Sequence, residues 1–360
     1  MLKTDNHTLR FALFSLLVSS VLLICGCDDK SQVKESAPVV TKVSGKTMGT
    51  FYSITVPGGF AGGEAALKEL AEGEFKKIID VISPFDDESE ISKFNAFEST
   101  KPYPVSQYLA DIVEECIHQS RRIDGAMDIS VGPLVNLWGF GRKKTDGKIP
   151  SQEEIDAARE YVGLDKFEVR NTQNGSMLIK HDERVKIDLA TVGEGLGADA
   201  VAAALDRLGV KNYMVAVAGA SRSRGLNAKG ELWKVGIEDP SRQEHSVFQV
   251  VCPLDQAMST AGSYRNFFKD DASGKVFSHA IDPVTGRPVE HSTLSVTVID
   301  RSTFVTDALD TGLLVMGADK AIEWGNKHDI ALYTIEYRDG KTVGRHTKAF
   351  EQYLKCASKK

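Results

Sequence analysis

Asp307, Asp310 and Thr311 stand three and four residues apart inside Thr306-Asp-Ala-Leu-Asp-Thr-Gly-Leu-Leu-Val-Met-Gly317, and no other segment constrains the fold so tightly. A helix here puts two carboxylates and a hydroxyl on one face. Leu309, Leu313, Leu314 and Met316 draw the same helix into a core, where an unpaired carboxylate is costly unless it meets a cation or takes up a proton. Oxygen ligands without nearby Cys or His favour a hard ion, Mg²⁺ or Ca²⁺, over zinc. The segment also reads as an N-terminal capping cluster, with Thr306 or Asp307 satisfying backbone amides and Asp310 solvated. Local spacing leaves both readings open.

A chain of 360 residues with 42% hydrophobic and 26% charged content buries a sizeable core, as one large or two smaller domains. It starts with Lys3 and Arg10 against Asp5, then an apolar run over residues 11–24 that is short for a bilayer span and reads as the core of an export signal. The run closes on Leu23-Ile-Cys-Gly-Cys27, which resembles a bacterial lipobox with cleavage after Gly26 and a lipid on Cys27. Asp28 resembles the Gram-negative signal that keeps a lipoprotein on the inner membrane, facing the periplasm. The alternative is an ordinary signal peptide with coincidental cysteines.

Residues 1–26 carry a net +1 and the whole chain −6 at pH 7, so the remainder carries −7. With no basic patch to compensate, a nucleic-acid partner is disfavoured. Cys116, Cys252 and Cys356 give no metal spacing and at most one disulfide. Polar residues 27–42 read as a tether, 43–350 as the folded domain and 351–360 as a C-terminal tail.

Periodicity and breakers predict strands over residues 49–56, 185–189, 213–218, 233–237, 248–252, 294–299 and 330–335. Helices are predicted over 64–82, 106–123, 152–162, 197–208, 304–316 and 320–328. In the first helix Leu67, Leu70, Phe75, Ile78, Ile79 and Ile82 share one face. The order implies an α+β fold, mixed sheets with flanking helices, rather than a regular βαβ repeat.

Gly193-Glu-Gly-Leu-Gly-Ala198 matches a dinucleotide-binding loop in spacing, but the next strand ends without a ribose-binding acid and Glu194 repels a pyrophosphate. What remains is either a phosphate approach helped by a cation or plain close helix–strand packing. Gly125 to Gly141 is rich in glycine and carries Trp138 and Phe140, which suit a binding loop or a core corner. Ser259-Thr-Ala-Gly-Ser-Tyr-Arg265 has the same character, and Asp282-Pro-Val-Thr-Gly286 is a turn preceded by His279, a candidate acid/base.

Lys46-Thr-Met-Gly-Thr-Phe-Tyr-Ser-Ile54, Ser89-Glu-Ile-Ser-Lys-Phe-Asn95, Asp128 to Gly141, Asp188-Leu-Ala-Thr-Val-Gly-Glu-Gly195, Ser278-His-Ala-Ile-Asp-Pro-Val-Thr-Gly-Arg-Pro288 and Asp307-Ala-Leu-Asp-Thr311 occur in that order. Together they resemble the ApbE family of FAD:protein FMN transferases, over about residues 43–350. The resemblance implies an enzyme that cleaves the FAD pyrophosphate with a divalent metal and attaches FMN to a threonine of a partner. The acceptors it implies are subunits of sodium-pumping NADH:quinone reductase and of Rnf-type complexes. It carries Met48, Phe85, Ala126, Met127, Asp128, Asp188, Glu194 and Ile281 onto FAD-contacting positions, and Thr191, Asp307, Asp310 and Thr311 onto the metal site. Ala218 departs from it, since the family commonly has glycine there.

On this reading Mg²⁺ is held against the pyrophosphate, the acceptor threonine attacks the FMN phosphorus, and His279 or a metal-adjacent carboxylate such as Asp307 takes the proton. Delivery of FMN to water, which would make a periplasmic FAD pyrophosphatase, and a non-enzymatic flavin-binding lipoprotein are the alternatives.

Overall fold

The computed structural model describes residues 39–142, 148–241, 246–270 and 273–356, as one unit rather than two smaller domains. The export signal, Cys27 and most of the tether lie outside the described residues, as does the end of the tail. An eight-stranded sheet runs in the order Val40–Thr47, Thr50–Pro57, Tyr213–Val217, Ala220–Arg224, Ala257–Gly262, Thr293–Asp300, Ala331–Arg338, Lys341–His346. Every neighbouring pair in it is antiparallel. Its first strand begins at Val40, so residues 40–42 belong to the sheet and not to the tether.

Thr50–Pro57 alternates as a half-buried strand should, with Tyr52, Ile54 and Val56 inward. Helix Gly63–Ile82 buries Leu67, Ala71, Phe75, Ile78 and Ile82, while Leu70 and Ile79 are half-buried at the edge of that stripe. Helix Gln107–Arg122 is capped by Ser106, whose hydroxyl accepts from Leu109 N–H at 3.1 Å.

Two expectations are corrected here. The helix predicted over 152–162 stops at Arg159. Residues 185–189 form no strand and join no ladder, because their backbone is satisfied elsewhere. The Asn95 side-chain amide imitates a neighbouring strand, donating to Ile187 C=O and accepting from Ile187 N–H, each at 2.8 Å. Asp188 N–H donates to Ile129 C=O at 2.7 Å.

Helix Gly193–Arg207 packs on helix Gly63–Ile82 and on helix Thr303–Met316. The last of these lies across strands Ala257–Gly262 and Thr293–Asp300, and it is capped by Ser302, which accepts from Val305 N–H at 3.3 Å. Thr306 and Asp307 therefore do not cap their own helix. Cys252 and Cys356 form a disulfide across 104 residues, so residues 351–356 of the segment read as a C-terminal tail are pinned beside the hairpin Val235–Glu238/Val247–Val251. Cys116 is buried and unpaired.

Candidate functional site

Loops and element ends from across the chain enclose a cleft of about 890 Å³, a size that suits a dinucleotide. Phe85, Ala126, Met127, Asp128, Asp188, Thr191, Glu194, His279, Ile281, Asp307, Asp310 and Thr311 all line it. Met48 does not. It turns at φ +49° between the first two strands and packs behind the cleft, its Sδ 3.7 Å from where a Cβ on Gly193 would lie.

The floor is acidic. Asp307 Oδ2 accepts from Gly195 N–H at 2.7 Å and Oδ1 from Ser259 Oγ at 3.1 Å. The helix beginning at Gly193 has Val192 as its N-cap and no side-chain cap of its own, so Asp307 supplies that service from the neighbouring helix. Asp310 accepts a long bond from Thr311 Oγ1, 3.3 Å, and its buried Oδ2 has no partner among the described residues. Thr191 Oγ1 donates to Thr311 Oγ1 at 3.1 Å, which joins the two hydroxyls expected at a metal to one corner of the floor.

Burial holds the Asp307 carboxyl well above the usual carboxylate range, with Glu194 the next cause. Burial and then Asp307 do the same to Asp310. Burial also raises Asp128, Asp188 and Glu194, opposed by donors from Ser130, Ala190 and Gly219 respectively. Six carboxylates line the cleft against Arg265 as the one permanent cation among the described lining residues, and Arg265 itself pairs with Glu238. Such a surface repels a pyrophosphate until a cation is added. The donor set fits a hard divalent ion: all oxygen, two carboxylates, two hydroxyls and one orphaned carboxylate oxygen. Among the described residues no three Asp, Glu, His or Cys side chains form a metal cage, so the hydroxyls have to complete the set.

His279 sits at the mouth, where its Nδ1 lies 3.1 Å from Asn266 C=O. A carbonyl only accepts, so Nδ1 carries the hydrogen and the Nε2 lone pair is left available in the neutral ring. Crowding lowers its pKa, and the Asn266 contact partly restores it. The ring is nonetheless open to solvent by surface area, so the lowering is modest. Trp138 is core, bonded through Nε1 to Gly286 C=O at 2.8 Å, whereas Phe140 both packs on Phe268 and lines the cleft.

Phe51, Glu238 and Tyr264 line the cleft, and Ser259 reaches it through Asp307; local patterns singled out none of the four for a role. Their signals lay within strand ends, and only the sheet order brings those ends together. Ala218 forms the turn between Val217 and Ala220 at φ +44°. A methyl in that left-handed region costs about 1 kcal/mol, which glycine avoids. The turn nonetheless presents Gly219 N–H to Glu194 at 3.1 Å, so Ala218 is accommodated.

The model of the ApbE family matches residues 48–334. The chain is 43% identical over 320 residues to the FAD:protein FMN transferase of Escherichia coli (strain K12), covering 89% of this chain and 91% of that one. Among solved structures it is similar to the flavin transferase ApbE from Vibrio cholerae, with TM-score 0.80 and 34% identity over 88% of this chain and 100% of that one. It is also similar to the apo form of the Pseudomonas stutzeri flavinyl transferase ApbE, with TM-score 0.78 and 30% identity over 88% and 97%.

Proposed function

The chain belongs to the ApbE family, and from that premise and the cleft geometry we propose that it moves the FMN half of FAD onto a threonine hydroxyl of an acceptor protein, with Mg²⁺ bound and AMP released. That it is a flavin transferase acting on FAD follows from its relatives. The metal, the acceptor residue and the acceptor proteins are our reading. The observation that carries it is the buried Asp307–Asp310 pair, in a cleft whose one permanent cation among the described lining residues, Arg265, pairs with Glu238.

In this reading Asp307, Asp310, Thr311 and Thr191 hold the ion. When bound, Mg²⁺ would neutralise charge on the pyrophosphate and on the departing phosphate. Phe85, 60% exposed and fixed at its carbonyl by Arg142 Nη2 at 2.9 Å, offers apolar area to a planar ring, as do Ala126, Met127 and Ile281. Glu194 and Asp188 are held in place by the Gly219 and Ala190 amides. The threonine oxygen bonds to the FMN phosphorus as the phosphoanhydride bond to AMP breaks. AMP leaves with that electron pair, and His279 Nε2 takes the hydroxyl proton.

His279 must be neutral to act, and its pKa lies below the ordinary imidazole value, about 6.5. Activity should therefore hold from neutral pH into mild acid and fall only as pH drops below that value. His279→Gln should lose about 10²–10⁴ of the transfer rate together with that acid limb. An unchanged limb in a pH–rate series of the variant would move the base elsewhere.

Incubating the protein with FAD, Mg²⁺ and a candidate acceptor, then resolving AMP, free FMN and flavinylated protein, tests the reading. Flavinylated protein and AMP in equal amounts support it. Free FMN with AMP means that water is the acceptor, and neither product means that FAD is only bound. The acceptors we favour are subunits of sodium-pumping NADH:quinone reductase or Rnf-type complexes, reached from the periplasmic side of the inner membrane through a lipid on Cys27. The Cys252–Cys356 disulfide supports an oxidising compartment. Mass spectrometry of the mature N-terminus should find acylated Cys27; an unmodified terminus would exclude the anchor.

A further inference from the structure

Ser259 lies in strand Ala257–Gly262, 1% exposed and outside the set of groups expected to touch the metal. Its backbone is fixed by the ladder to Thr293–Asp300, where it stands opposite Val298. From there its hydroxyl donates to Asp307 Oδ1 at 3.1 Å, while Gly195 N–H holds Oδ2 at 2.7 Å. A donor from the sheet and a donor from a helix end thus fix the carboxylate plane from two independent elements. Supporting donors of this kind commonly decide how well a carboxylate ligand is presented.

We propose that Ser259 is a positioning residue, holding Asp307 in the orientation that a divalent ion needs without being a ligand itself. The inference rests on the reading that Asp307 and Asp310 hold such an ion. Without the Ser259 donor, Asp307 keeps only the Gly195 amide on Oδ2 among the described residues. The loss falls on the loaded form, in which the carboxylate has to be presented to the ion.

The full chain, stripped with EDTA, is titrated with Mn²⁺ by electron paramagnetic resonance of the free ion, the parent beside Ser259→Ala and Ser259→Thr. A hydrogen bond to a charged group lost from the loaded state weakens Mn²⁺ binding by about tenfold to a hundredfold. Ser259→Thr keeps the hydroxyl and should bind more tightly than Ser259→Ala. Raised Mg²⁺ should recover flavin transfer in Ser259→Ala, so that the metal requirement moves more than the rate at saturation. Parent-like Mn²⁺ affinity in Ser259→Ala overturns the proposal, whether or not its melting temperature falls. If Ser259→Ala does not fold, Ser259→Cys, a weaker donor of similar size, is held to the same outcomes. A parent that binds no Mn²⁺ instead overturns the metal reading beneath the proposal, which separates the two failures.

Discussion

Asp310→Asn should cut flavin transfer by about 10³-fold and yet make the metal-free protein harder to unfold. Asp310 is 1% exposed, its Oδ2 has no partner among the described residues, and Asp307 and Glu194 both oppose its charge. In the absence of metal the carboxyl either ionises against those neighbours or stays protonated, at the cost of a proton the unfolded chain would have released. Asparagine has the same shape and avoids both. Relief of about 1–2 kcal/mol is expected at pH 8 in EDTA, or about 2–4 °C in Tm for each kcal/mol.

Transfer should fall on the order of 10³-fold, because one carboxylate of the metal set is gone and electrostatic terms of this kind supply about 4 kcal/mol. Differential scanning calorimetry with and without Mg²⁺ checks both halves: the parent should gain stability with Mg²⁺ and the variant should not. A variant less stable than the parent in EDTA would show that the pair is not strained. Asp307 is a poorer probe, since its removal also strands Gly195 N–H and the Ser259 hydroxyl.

Gly195→Ala should destabilise the protein by about 3 kcal/mol or more, against the usual sign of such a change. In an open helix the substitution stabilises by about 1 kcal/mol. Here the new Cβ would lie 2.4 Å from the Thr303 carbonyl oxygen and 2.8 Å from Asp307 Cβ. Neither neighbour is the end of a flexible side chain, so helices Gly193–Arg207 and Thr303–Met316 must separate. Their separation also breaks the Gly195–Asp307 bond and with it the support of the metal-binding face. Urea unfolding and Mn²⁺ affinity are the two readouts, and both should fall together. An equal or higher unfolding midpoint would mean that the helices are not in contact at this point.

This glycine shows how far local reading goes. Gly193 to Ala198 was legible as a tight approach at a helix start, with a cation-assisted phosphate site or close packing as its two meanings. The structure supplies the close packing, but against another helix rather than a strand, and the helix begins at Gly193 instead of 197. The same holds for the acidic segment. Its helix and its apolar face followed from spacing alone, but spacing could not tell a capping cluster from a buried pair, and the cap turned out to be Ser302.

Helix Gly63–Ile82, the alternation in Thr50–Pro57 and the acid spacing in Thr303–Met316 were fixed by the sequence itself, since a side chain's direction depends on its own backbone period within a few residues. The family motifs added the expected site residues. Which atoms meet was decided only by the tertiary structure. Gly195 and Ser259 reach Asp307 across 112 and 48 residues, and Asn95 replaces a strand partner for Ile187 across 92. Met48 fell behind the cleft because its turn belongs to the sheet edge and not to the floor. Such contacts have no local period to announce them; they exist because sheet order and helix packing close long loops and bring buried polar groups to the partners they require.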